Sequence, residues 1–259
     1  ITPQQEGIQW GEKFAGVYQI ALAPNNKEKG FLVNGIEYPG RLYIYQVEGK
    51  LQVINEVSIE DFVLSQLSGN VDHTYPKEVL AALTIAQRSE AWHYSQRGSA
   101  NNFYWDIAAK DFDYEGIGAS LPRKELKDAV ASTKGFVVTQ GHSYAASQAL
   151  LTKWTEDSAG MTAPYSVMFR SKDSLAPESS KEFTGASQDK SKWEYSLTSN
   201  QLASLLEISD IDQLQLYVHK PTKKVYAVSI LSGNKPHVMS FIDFQKKIGR
   251  SNLKSSEFS

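Results

Sequence analysis

Near Val57 the hydrophobic pattern of this chain changes period, and that change constrains the fold more than any other feature. From Phe14 to Val57 apolar and polar residues alternate, as in Gly40-Arg41-Leu42-Tyr43-Ile44-Tyr45-Gln46-Val47. The run turns at Glu48-Gly49-Lys50 and resumes with Leu51-Gln52-Val53-Ile54, which predicts antiparallel strands joined by a hairpin. From Ser58 the spacing becomes helical. Glu60 and Asp61 precede Phe62-Val63-Leu64, the pattern of a short helix start. After a polar loop from Ser68 to Tyr75, Pro76 is suited to open a second helix. Val79, Leu80, Leu83, Ala86 and Trp92 give that helix one apolar stripe, and Lys77, Glu78, Arg88 and Glu90 fall on its other, polar face.

Further along, Pro122 to Lys134 reads as a helix that stops at Gly135, and Phe136-Val137-Val138 as a strand. A strand from Ser143 to Leu151 is followed by the turn-rich stretch Thr155–Thr162. Lys172 to Lys192, dense in Ser, Lys, Glu and Asp, reads as an exposed insertion. Thr198 and Gln201 form a capping box for a helix through Leu206. Strands are expected at Gln213–His219 and Lys224–Leu231, and a helix at Phe241–Ile248.

These elements predict an α+β module spanning residues 1–259, with antiparallel strands, a central helix and two subdomain-like halves flanking a cleft. Residues 1–57 would supply N-terminal strands, 58–165 the core with the loop and helix of the site, 172–192 the insertion, and 193–259 C-terminal strands and helices. The cleft is expected where the Ser68–Tyr75 loop, the Pro76–Tyr94 helix and the Thr155–Thr162 turn meet.

Composition narrows the function classes. The 27 basic and 29 acidic residues are intermixed and give a net charge of −2, so no overall field favours nucleic acid. The absence of cysteine excludes thiolate nucleophiles and Cys-ligated metals. No apolar run approaches the roughly 18 residues of a membrane span, and the first residue is Ile1, consistent with a leader removed or never included. Asp111-Phe112-Asp113-Tyr114-Glu115-Gly116 imitates half a calcium loop, but Pro122 stands where the closing acid belongs. His73, His93, His142, His219 and His237 lack metal-ligand spacing, so no metal and no cofactor is expected. Ser158 lacks the preceding glycine of a nucleophile elbow.

Several short motifs occur in a telling order: Ile54-Asn55, Ile59-Glu60-Asp61-Phe62, Tyr75-Pro76-Lys77-Glu78-Val79-Leu80 and Ala86-Gln87-Arg88-Ser89. They continue with Tyr114-Glu115-Gly116, Thr133-Lys134-Gly135 and Ser158-Ala159-Gly160-Met161-Thr162. Together they resemble the stage II sporulation protein D (SpoIID) family, which includes LytB-type amidase enhancers. The resemblance implies an exported envelope protein acting on peptidoglycan, with lytic transglycosylase activity on peptide-free glycan strands.

That chemistry needs a carboxyl to protonate the leaving oxygen and then take a proton as the anhydro ring closes. The family's glutamate lies six residues before the helix-opening proline, which here is Asn70, and an amide cannot carry that proton. Asp72 and Glu78 are substitute acids, Asp72 being in the same loop. Of the family's helix signature the arginine is kept as Arg88, followed by Ser89 and Glu90 where the family has Thr-Tyr. Phe112 and Thr155 replace a glutamine and a histidine of the family. Arg88 is expected to contact a glycan hydroxyl or acetamido carbonyl, to orient the loop, or to be a solvent-facing helix charge. The resemblance implies substrate contacts at Ser158, Gly160 and Thr162. Three functions follow: glycan recognition with reduced catalysis, transglycosylation through Asp72 or another acid, and stimulation of a cell-wall amidase.

Overall fold

A computed structural model describes residues 1–26, 30–71, 74–98, 104–109, 112, 114–117, 123–140, 148–155, 157–169, 180 and 193–259. Its helices and antiparallel sheets make it an α+β protein, and the chain divides into two compact units, Ile1–Lys153 and Trp154–Ser259. The Thr155–Thr162 turn therefore belongs to the second unit, and the loop and helix around Pro76 to the first.

The first unit begins with β1 (Thr2–Gln4), β2 (Gly7–Trp10) and β3 (Glu12–Ala15), one antiparallel sheet in that order. Next come β4 (Gln19–Leu22), the hairpin of β5 (Phe31–Val33) and β6 (Ile36–Tyr38), then β7 (Arg41–Val47) and β8 (Lys50–Glu56). β4, β7 and β8 form a second sheet, with Tyr43 opposite Ile54 and Tyr45 opposite Gln52. The turn between β7 and β8 has positive φ at both Glu48 (50°) and Gly49 (73°), the twist that a two-residue hairpin requires. Leu42 and Ile44 face inward, which puts Arg41, Tyr43 and Tyr45 on the opposite face.

Helix α1 (Ile59–Ser68) starts at Ser58, whose hydroxyl accepts the Asp61 N–H. It packs against α2 (Lys77–Gly98) and α3 (Lys124–Ser132). Pro76 precedes α2 and its carbonyl accepts the Leu80 N–H at 3.0 Å. The buried positions of α2 are Leu80, Thr84, Gln87, Arg88, Ser89, Glu90 and Ala91, whereas Val79 and Trp92 of the expected apolar stripe are exposed. The polar face read from the sequence is thus corrected. Arg88 and Glu90 point inward because both find ionic partners there, which offsets the cost of burying charge.

The unit closes with the short pair β9 (Thr139–Gln140) and β10 (Gln148–Ala149). Phe136–Val138 is not a strand, contrary to its composition. Arg88 donates to the Phe136 carbonyl and the Ser89 hydroxyl accepts the Val138 N–H, so α2 side chains take groups a strand partner would need. The expected helix from Pro122 begins at Lys124, and Pro122 lies outside the described residues, as do 143–147 of the expected Ser143–Leu151 strand.

In the second unit, α4 (Tyr165–Met168) and α5 (Ser199–Leu206) precede a meander of β11 (Gln213–His219), β12 (Lys224–Ser232) and β13 (Lys235–Ser240), which runs into α6 (Phe241–Ile248). Thr198 and Gln201 form the expected capping box. Tyr226 has no partner on β11, and this bulge shifts the register so that Val225, Val228 and Ile230 share one face despite their uneven spacing. With Phe241, Phe244, Ile248 and Leu206 they form the core of the unit. β13 contains Pro236 and is accordingly an edge strand, a position that tolerates a missing N–H. Apart from Ser180, the expected insertion at Lys172–Lys192 lies outside the described residues.

Candidate functional site

Asn70 follows the C-terminal end of α1 and is exposed. Its backbone N–H donates to the Leu67 carbonyl (3.2 Å) and its side-chain amide to the Gln66 carbonyl (2.8 Å). The amide thereby satisfies one of the carbonyls that a helix end leaves open. An ionised carboxylate in the same place has no proton to donate to that carbonyl. Asp72 and His73 lie outside the described residues. Glu78 sits in the first turn of α2, exposed, 3.7 Å from Lys77.

Arg88 is 1% exposed. Its Nε and Nη2 donate to the Glu60 carboxylate, the closest approach being 2.7 Å, so the pair is forked. Nη1 donates to the Phe136 carbonyl at 3.0 Å, and Nη2 lies 3.4 Å from both the Val130 carbonyl and the Thr133 hydroxyl. The Thr133 hydroxyl is bonded in turn to that of Thr84 (2.8 Å). The guanidinium thus sits against the C-terminal end of α3, where open carbonyls favour a cation, while Glu60 balances its charge. Arg88 is neither a solvent-facing charge nor open towards a ligand in this arrangement. It ties α1, α2 and the end of α3 together.

Two residues further along α2, Glu90 is 1% exposed and paired with Lys153. The Lys153 ammonium lies 5.7 Å from the centre of the Phe112 ring. Glu90 and Phe112 therefore meet at one lysine. Nearby, His93 Nδ1 bonds the Ala149 carbonyl (2.8 Å) and the Thr152 hydroxyl donates to the Ala86 carbonyl. The chain from Ala149 to Lys153 is thus fastened along α2.

A groove of about 780 Å³ opens on another side of the first unit. β7 and β8 contribute Tyr43, Tyr45 and Glu56 to it, α2 contributes Trp92, and the segment 104–109 contributes Tyr104 and Asp106. Tyr114 closes its floor, donating to Asn55 Oδ1 at 2.6 Å, while Asn55 donates to the Pro39 and Arg41 carbonyls. Burial raises the pKa of the Tyr114 phenol well above its ordinary value, and Tyr38 and Asp61 add to the effect.

In the second unit, Ala159 (φ 46°) and Gly160 (φ 85°) make a tight turn, braced by Asp157 Oδ1, which accepts the Ala159 N–H at 2.7 Å. The Ser158 carbonyl accepts from the buried Lys224, which also pairs with Glu257 at 2.8 Å. Thr162 exchanges hydrogen bonds with the backbone of Ser180. Ser158, Gly160 and Thr162 therefore share one turn, while Asn70 and Arg88 belong to the first unit. Asp111 and Asp113 of the calcium-like stretch lie outside the described residues. Among the described residues no group of three or more His, Asp or Glu could hold a metal ion. No described helix is long and apolar enough to cross a membrane.

Sequence reasoning missed Glu60 as the partner of Arg88, the Glu90–Lys153 pair and the groove. Glu60 carried a signal as an acid in a first helical turn and as part of the Ile59-Glu60-Asp61-Phe62 motif, neither of which points to a partner 28 residues away. Comparison with known proteins bears on the first unit. An uncharacterized protein of Chlamydia muridarum is 34% identical over 133 residues, 51% of this chain and 46% of that protein. One from Chlamydia pneumoniae is 31% identical over 134 residues, 51% of this chain and 49% of that protein. One from Brachyspira hyodysenteriae is 33% identical over 107 residues, covering 41% and 28%. The match spans about half the length of the chlamydial relatives. The sequence profile of the stage II sporulation protein family matches residues 47–140, the stretch that holds Glu60, Asn70, Arg88, Glu90 and Phe112. Residues 47–140 of this chain thus match the SpoIID domain, of a family related to the cell wall.

Proposed function

We propose that this SpoIID domain holds glycan strands of peptidoglycan outside the cytoplasm and does not cut them. The observation that carries this reading is Asn70, which occupies the position of the expected proton carrier and has its amide bonded to the Gln66 carbonyl at the end of α1. An amide keeps hydrogen-bonding capacity toward sugar hydroxyls and acetamido groups while lacking a titrating proton. The Glu90–Lys153 pair, covered by Phe112, supports the same reading, since these positions are occupied by a neutralised pair and an apolar ring.

Sedimentation with purified sacculi, intact and stripped of peptides, tests the proposal. The protein should pellet with the stripped glycan while releasing no saccharides that end in anhydromuramic acid. Failure to pellet with either preparation overturns glycan recognition. Release of anhydromuramic-acid-ended saccharides that disappears on Asp72→Asn overturns the loss of cutting.

A further inference from the structure

The groove of the first unit is not used by the reading above, and its chemistry points to a different ligand. Its volume, about 780 Å³, is in the range of small-ligand sites. Along one wall Tyr45 stands between Tyr43, 6.5 Å away with planes 21° apart, and Tyr104, 5.3 Å away at 32°. Tyr104 is 62% and Trp92 45% exposed, large ring areas for a surface. Among the described residues that line it, the formal charges are the carboxylates of Glu56 and Asp106. Glu56 accepts from the Tyr43 hydroxyl at 2.7 Å, and its contact with Arg41 is long (3.8 Å) and exposed, a geometry that neutralises little.

Ring faces and carboxylates are both negative towards a ligand, so they attract a cation with an apolar body and repel an anion. We propose that this groove binds an organic ammonium group carried on an aliphatic stem, the chemistry of a lysine-type side chain. The stem packs on Trp92 and Tyr104, and the ammonium lies between the rings and the two carboxylates. A neutral saccharide could stack on the same rings but would draw nothing from the net charge of the groove. The proposal goes beyond glycan recognition and uses residues separate from Asn70.

The test is titration of the full chain with Nα-acetyl-lysine amide, with its neutral Nε-acetylated form, and with an N-acetylglucosamine trimer. Tryptophan fluorescence and indole NMR signals report binding. The charged probe should bind saturably and the neutral one about tenfold more weakly, with the difference shrinking as salt rises. Asp106→Asn and Glu56→Gln should each weaken the charged probe by about fivefold, and Trp92→Ala by more. These side chains are exposed, and circular dichroism checks that the variants fold. Equal binding of the charged and neutral probes, binding of the sugar alone, or no saturation by about 10 mM overturns the proposal. Any of these leaves the glycan reading standing, because sacculus binding tests that separately.

Discussion

At the scale of single residues, the buried guanidinium of Arg88 has the largest energetic consequence. Removing one partner of a buried ion pair leaves the other uncompensated, so Arg88→Ala should lower stability by about 3–5 kcal/mol in urea denaturation. Arg88→Lys should fall between, since an ammonium cannot reproduce the fork onto Glu60 together with the bond to Phe136. Asn70→Glu should cost about 1 kcal/mol through the lost bond to Gln66 and should release no anhydromuramic-acid-ended saccharides from stripped glycan. Tyr114 provides a pH signature. Its phenol pKa is raised in the folded chain, so the folded state holds the proton more tightly than the unfolded one. The resulting stabilisation is complete below about pH 10 and is lost as pH rises through the raised value. Tyr114→Phe should reduce that alkaline loss while costing about 1 kcal/mol at neutral pH, as read by denaturation across pH.

Among the elements, those with local instructions were legible in the sequence. Ser58, Thr198 and Ser240 each accept a backbone N–H at the start of a helix, and these helices run close to their expected limits. Ser240→Ala should cost about 1 kcal/mol, measurable as a fall in Tm, because the Asp243 N–H loses its acceptor. Elements decided by distant partners were not legible. Phe136–Val138 has strand composition, but its backbone bonds to Arg88 and Ser89 are 48 and 49 residues away in sequence. Periodicity reports only neighbours three or four apart, so it placed Arg88 and Glu90 on a solvent face. β13 was hidden by Pro236, which is tolerated only because the strand lies at an edge.

For the whole molecule, the division at Lys153 gives each unit its own buried cluster. Phe244→Ala should cost about 3–5 kcal/mol, with hydrogen-exchange protection lost in residues 154–259 and kept in residues 1–153. The mixed fold class and the importance of the α1–α2 region were readable from the change of period near Val57. The groove was not, because its walls come from β7, β8, α2 and segment 104–109, which no local pattern connects.

The polar interior of α2 also bears on how that helix can move. An oily helix face can slide or turn against its neighbours at modest cost, since one methyl replaces another. The buried sides of α2 carry Thr84, Arg88 and Glu90, each matched to a particular atom on another segment. A rotation of one residue would break every match at once. The helix therefore behaves as a keyed shaft with one permitted angle, and Trp92, one turn beyond Arg88, is held at a fixed bearing toward whatever enters the groove.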